Sequence, residues 1–226
     1  MAKEMKLSLF KLKYQPLLML IPLFFVCYTA YFIKFKIMYF PQKADFWFKS
    51  SELLLNALIS FLISLITAIQ FSFEEQRRNL NPVLSLPKRD TWVSNVAILT
   101  AMVYLEGALV FGVGMAWFGK FDYWDNIEIW LNLYGQPLIW IPIFTWIGIA
   151  FNYRTGLIVG AVLIPFMLNV ASQSQGSGWC CLPWFYNFTV EKSPDTSIMP
   201  PVLFLAGVTF LEQLVLNYYV NHFWER

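Results

Sequence analysis

Three groups of residues in this chain have side-chain types and spacings that could do chemistry. The first is Glu74-Glu75-Gln76-Arg77-Arg78-Asn79. A carboxylate pair can activate water, and carboxylates followed by arginines can equally form a charged docking element. The second is Gly114-Met115-Ala116-Trp117-Phe118-Gly119-Lys120, which has the spacing of a phosphate-binding loop. Phe121 stands where Ser or Thr would ligate magnesium, and the segment closes an apolar run instead of joining a strand to a helix. It is therefore not read as a nucleotide site. The third group is Glu106 and Glu212, each set in the middle of a long apolar run. Carboxylates so placed cost at least about 2.5–3.5 kcal/mol on membrane-insertion scales, and such groups usually face protein or a wet cavity. Both are expected to face protein or a wet cavity, or else to hydrogen-bond to Asn169 or Asn217 on a neighbouring helix.

The elements that must position these groups follow from composition. Of 226 residues, 58% are apolar and 19% aromatic, while 13% are charged. A soluble domain carries about 25% charged residues, so the polar coat is about half what water demands. The net charge of +2 and the lack of a long basic run give no reason to expect a nucleic-acid partner. Three cysteines make no disulfide framework: Cys27 lies in an apolar run and Cys180-Cys181 are adjacent. The expected fold is an all-α membrane protein with six transmembrane helices, at about 16–33, 51–73, 92–118, 134–151, 156–172 and 200–221, forming one transmembrane domain over 1–226. Helices are expected because lipid offers the backbone no hydrogen-bond partner. The basic start (Lys3, Lys6, Lys11, Lys13) and the first apolar run have the layout of a secretory signal. No small-x-small cleavage site follows, so the run is read as a retained anchor.

Loop charges set the expected orientation. With both termini cytoplasmic, the inner side carries ten basic residues (Lys3, Lys6, Lys11, Lys13, Arg77, Arg78, Lys88, Arg89, Arg154, Arg226). The outer side carries six (Lys34, Lys36, Lys43, Lys49, Lys120, Lys192). That excess favours a multi-pass protein of the inner (plasma) membrane with both termini inside. Trp117, Trp124, Trp130, Trp179 and Trp184 crowd the outer side. Membrane anchoring explains such a belt, with ligand binding as the lesser alternative.

Between the second and third spans the chain runs from Glu74 to Arg89. The acidic pair suits a helix N-terminus, the arginines follow, and Pro82 and Pro87 interrupt what comes after. Leu80, Val83, Leu84 and Leu86 add apolar groups able to seat in a groove of another protein. A plain solvated loop accounts for the same residues.

Two family resemblances bear on this segment. The acidic pair closing the second span, the basic residue after it, the run Leu84-Ser85-Leu86-Pro87-Lys88-Arg89 and Leu182-Pro183-Trp184 ahead of the last span resemble permease subunits of type-2 ABC exporters. The likeness is to the small permeases of lantibiotic immunity and related peptide export. Many members carry a glycine soon after the acidic pair, where this chain has Arg78 and Asn79. The resemblance implies an N-terminal interfacial elbow helix and a cytoplasmic coupling helix between spans two and three. Glu74, Glu75, Arg77, Arg78, Leu84, Leu86, Lys88 and Arg89 would then contact a separate cytosolic ATPase. It further implies a second permease copy or a related permease, contact with membrane lipid, and an amphiphilic peptide or antimicrobial as cargo. Glu106, Asn169, Glu212, Trp179 and Trp184 would line the cargo path or interface. ATP and Mg would sit on the partner, leaving this chain with no cofactor, no metal and no enzymatic activity of its own. The alternative resemblance is to intramembrane proteases of the CAAX-processing type, whose Glu-Glu-x-x-x-Arg motif matches Glu74 and Glu75 but finds its arginine one residue early, at Arg78. That family also wants more histidine than His222 supplies. A non-catalytic membrane scaffold is the third possibility.

Overall fold

A computed structural model describes residues 20–78, 89–117, 136–173 and 199–222. Among these residues there are six α-helices and no strand: α1 (Leu20–Tyr31), α2 (Ala44–Arg78), α3 (Arg89–Trp117), α4 (Trp140–Ala150), α5 (Tyr153–Gln173) and α6 (Met199–His222). A π-helical segment, Phe32–Ile37, prolongs α1, and short 3₁₀ turns at Pro41–Lys43 and Gln136–Ile139 lead into α2 and α4. The all-helical expectation therefore holds. Each helix falls on one of the six apolar runs. By length and composition one of them is enough to cross a membrane among the described residues, namely Trp92–Gly114 of α3. Shorter apolar helical stretches lie at Leu20–Lys34, Ala57–Ser72, Trp140–Ala150 and Tyr153–Asn169.

Three boundaries have clear local causes. α2 does not stop at Phe73, where hydropathy falls, but continues through Arg78. Glu, Gln and Arg are good helix formers, and no glycine or proline intervenes before Pro82, so hydrogen bonding outlasts apolarity. α4 and α5 form a hairpin around Phe151 and Asn152, and Asn152 caps α5. Its Oδ1 accepts hydrogen bonds from the Thr155 backbone N–H at 2.7 Å and the Thr155 hydroxyl at 3.0 Å. Pro142 sits in the first turn of α4, where no N–H is needed, whereas Pro165 lies inside α5. Proline in a helix interior is tolerated where neighbouring helices re-satisfy the freed carbonyl.

α4 is the centre. Its eleven residues are apolar on every side, and Trp140, Ile141, Phe144, Ile147 and Ile149 are all buried, as an all-round hydrophobic helix requires. Around it α2 packs chiefly on α5, α1 on α3, and α6 on α3 and the start of α4. The main core joins Phe25, Ile59, Ile63, Ile66, Tyr104 and Phe144. A second cluster (Phe71, Trp92, Val93, Val96, Ile149, Leu216, Val220) ties the end of α2 to the start of α3 and the ends of α4 and α6.

Small residues set how closely the helices approach. A side chain at Gly160 would collide with Ser64, one at Gly107 with the Phe25 ring, and one at Gly114 with Thr29. Gly156 and Gly160, a small-xxx-small pair in the sequence, thus serve contacts inside the chain. Buried hydroxyls bond within their own helices: Thr29 to the Phe25 carbonyl (2.7 Å), Thr67 to Ile63 (2.9 Å) and Thr145 to Ile141 (2.7 Å). Thr100 donates to the Val96 carbonyl at 2.8 Å and accepts from Gln70 Nε2 at 2.8 Å, a buried bond between α2 and α3.

Overpacking a tight core costs about 1–3 kcal/mol, so Gly160→Leu and Gly107→Leu should each lower the thermal unfolding midpoint of the detergent-solubilised chain. At Gly207 an added Cβ would meet nothing within 4 Å, and Gly207→Ala should leave the midpoint level or raised. An equal fall at all three positions would contradict this packing.

Candidate functional site

Five of the eight residues expected to contact an ATPase lie on helix ends that meet at one end of the bundle. Glu74, Glu75, Arg77 and Arg78 occupy the last turns of α2, and Arg89 begins α3. The acidic pair therefore does not open a separate helix, as the sequence suggested; it lies near the C-terminus of a long one. There the two arginines complement the negative end of the helix dipole and the glutamates do not. Leu84, Leu86 and Lys88 lie outside the described residues, as do the expected elbow segment, residues 79–88 of the coupling element expected over 74–89, and Trp179, Trp184, Cys180 and Cys181. What holds this end together is the T-shaped contact of Phe71 with Trp92, with ring centroids 5.2 Å apart. It fixes α2 and α3 side by side one turn before the charged residues begin.

The sole histidine belongs to the same end. His222 closes α6, two residues after Val220 of the cluster that holds Phe71. Its ring stacks on Tyr218 with centroids 4.2 Å apart, and its Nδ1 lies 3.0 Å from the Tyr218 carbonyl oxygen. Among the described residues no group of three or more His, Cys, Asp or Glu side chains is placed to share a metal ion.

The candidate cargo-path or interface residues separate. Glu212 is half-buried on α6, while Asn169 is exposed on α5. Asn217 accepts a hydrogen bond from Gln213 of its own helix at 3.1 Å. Glu106 is exposed, and among the described residues its carboxylate takes part in no hydrogen bond or ion pair. It occupies one stripe of α3 with Ile98, Met102, Leu109 and Val113, all exposed apolar side chains. Two apolar clefts flank that stripe. One, of about 610 Å³, lies between α1 and α3 beside Val110 and Gly114; the other, of about 450 Å³, lies between α3, α4 and α6 beside Ile98 and Phe210. Sequence reasoning picked out Glu106 by depth alone. Its exposure depends on which face of α3 meets α1, and that is decided by Gly107 and Gly114 beneath Phe25 and Thr29.

The chain matches no family model, no curated protein and no solved structure.

Glu106→Leu removes the only carboxylate from the Trp92–Gly114 stretch. It should improve membrane insertion of that stretch by about 2.5–3.5 kcal/mol, read as the inserted fraction in a glycosylation-mapping assay. No change on substitution would show that the carboxylate is not what limits this segment.

Proposed function

We propose that this chain is the membrane-spanning permease subunit of an ABC exporter. Its cargo is an amphiphilic peptide or antimicrobial, expelled in self-immunity or resistance, and its energy comes from a separate cytosolic ATPase. All six helices cross the inner (plasma) membrane in this reading, with both termini cytoplasmic. The observation that carries it is the build of one bundle end. There a rigid pair of helices, locked by Phe71 on Trp92, brings Glu74, Glu75, Arg77, Arg78 and Arg89 to the two sides of a single connection. Charge at the tip of a stiff, apolar, multi-helix body is what a partner needs in order to push on that body without entering it. Support for immersion comes from the composition and from the hydroxyls of α1, α2, α3 and α4, which bond to their own helix carbonyls. Such back-bonding is the way a helix carries polar side chains where no water is at hand.

Mechanistically, nucleotide-driven closure of the ATPase displaces the 79–88 connection, and the α2–α3 pair moves with it. Glu106 and Glu212 lie in the path or interface that this motion rearranges. Nucleotide and magnesium belong to the partner.

A second reading, an intramembrane hydrolase, draws on the same bundle end. The carboxylates Glu74 and Glu75 and the imidazole of His222 are carried on helices that share the cluster of Phe71 and Val220. The two readings differ in what the isolated chain can do.

The chain should sediment with membranes and resist alkaline carbonate extraction; release into the supernatant removes both readings. For the exporter, affinity purification from the native host should bring down an ATPase. Arg77→Glu with Arg78→Glu should reduce that ATPase's permease-stimulated turnover about tenfold or more, as loss of interfacial charge pairs does. Proteolysis by the purified chain alone, abolished in Glu74→Ala or Glu75→Ala, would instead establish the hydrolase. Export at the wild-type rate by a Glu106→Gln, Glu212→Gln double variant would end any role for charge at those two positions.

A further inference from the structure

Of the two clefts beside α3, the one at α1 has a charge at its mouth and the other has none. The cleft at α6 carries only the neutral polar groups of Thr209 and Gln213 among apolar side chains, and these name no occupant. The cleft at α1, of about 610 Å³, has walls of Val26, Ala30, Ile33 and Val110, and Lys34 and Tyr39 also line it. That volume falls in the range of about 300–1,000 Å³ usual for small-molecule sites. Thr29 adds a methyl group and no free donor, because its hydroxyl bonds to the Phe25 carbonyl at 2.7 Å.

The charged end of this cleft has a definite level in the bundle. Phe25 lies over Gly107 and Thr29 over Gly114, so α1 and α3 run parallel and reach that end together. There α1 passes into the π-helical Phe32–Ile37, and the Met38 N–H bonds to the Ile33 carbonyl at 3.0 Å. Single π turns of this kind occur often at functional sites. Beyond the turn, Met38 and Tyr39 continue the lining past the last regular turn of α1. Tyr39 and, at the end of α3, Trp117 are both exposed, and such aromatic side chains mark the boundary between acyl chains and headgroups. Lys34 is exposed, and among the described residues it takes part in no hydrogen bond or ion pair. Among the described residues no carboxylate lines the cleft.

We propose that this cleft binds one anionic glycerophospholipid, an acyl chain lying along α1 and α3 and the headgroup phosphate pairing with Lys34. The proposal rests on the membrane reading above and goes beyond general contact with lipid by naming one site and the sign of its headgroup. Charge complementarity selects the occupant. Whatever fills the cleft must be apolar along the walls of Val26, Ala30 and Val110 and anionic where it meets Lys34. An anionic phospholipid has that polarity in that order, and the exposed aromatic side chains set its headgroup at the level of the lysine. A zwitterionic lipid brings its phosphate with a cation attached, which Lys34 repels. Basic residues in recesses between membrane helices hold anionic headgroups in this way, and one such cation near a membrane surface contributes about fivefold in affinity. A lysine at a helix end can also reach the interface on its long stem with no site beneath it. Only a built site makes the cation and the apolar walls act on the same lipid.

The test is native mass spectrometry of the full chain in detergent, offered equal amounts of phosphatidylglycerol and phosphatidylcholine with the same acyl chains. Phosphatidylglycerol should be retained about fivefold more than phosphatidylcholine. Lys34→Gln should abolish that preference and Lys34→Arg should keep it. Lys43→Gln should leave it unchanged, because Lys43 is exposed on the same connection but does not line the cleft. Ala30→Phe and Val110→Phe fill the cleft from opposite walls, and each should lower retention of both lipids at an unfolding midpoint near that of the wild type. Equal retention of the two lipids by the wild type overturns the proposal. So does an equal loss of preference in Lys34→Gln and Lys43→Gln, which would show a general basic surface, or retention untouched by both Phe variants. If the Phe variants abolish binding of an amphiphilic peptide and leave phosphatidylglycerol in place, the cleft belongs to cargo and the proposal fails. Loss of the lipid site with an ATPase still co-purifying would leave the permease reading standing. Retention of phosphatidylglycerol through Lys34 with no ATPase brought down would uphold the site and sink that reading.

Discussion

Among the described residues, the buried threonines turn their hydroxyls to their own helices, and that habit shapes the packing. Thr29, Thr67, Thr100 and Thr145 each return a hydroxyl to a carbonyl one turn back, so each presents a methyl group, and not a thirsty oxygen, to its neighbours. Ser64 does the same toward Phe61 at 2.8 Å, which lets it lie directly against Gly160. At Thr100 the hydroxyl that donates to the Val96 carbonyl also accepts a hydrogen bond from Gln70 of another helix. Shape carries much of the packing, and the buried Gln70–Thr100 hydrogen bond registers α2 against α3. Interhelical bonds of this kind contribute about 0.6 kcal/mol on average in a measured membrane protein, so close packing must supply most of the rest.

Shape here means small residues under large ones. Phe25 rests where Gly107 has no side chain, Thr29 where Gly114 has none, and Phe71 packs on Gly148 with ring carbons 3.1 Å from where a Cβ would be. Each pairing pins the rotation of one helix about its axis. By fixing α3 against α1, these contacts also decide which residues α3 turns outward, so the placement of Glu106 is a by-product of two glycines elsewhere on the same helix.

The six helices among the described residues, and their rough positions, were legible in the sequence, because runs such as Leu53 to Phe73 or Trp140 to Ala150 are long, apolar and free of strand alternation. Legibility failed where apolarity and helicity part company. Glu74 to Arg78 read as the start of something new because they are charged, yet nothing in them breaks a helix, and α2 carries on through them. The break between α4 and α5 was legible in the gap between apolar runs, whereas the burial of Trp140, Ile141, Phe144, Ile147 and Ile149 was not, since a run apolar all round names no face. For the candidate site, residue types and depth were readable, as Glu106 and Glu212 illustrate. Their different exposure was not, because it arises from packing contacts between segments far apart in the chain. The Gly156–Gly160 pair shows the same divide: its spacing announces a close contact and is silent on whether the partner is inside or outside the chain.

The unbroken course of α2 has a mechanical meaning. Thirty-five residues of helix from Ala44 to Arg78 make a stiff rod about 50 Å long, and its tightest clasp, at Phe61 and Ser64 against Gly160, falls near its midpoint. A rod gripped at the middle behaves as a seesaw. Any sideways nudge at Arg78 swings Ala44 the opposite way by a similar amount, so the two faces of the bundle are geared in antiphase by a single piece of secondary structure.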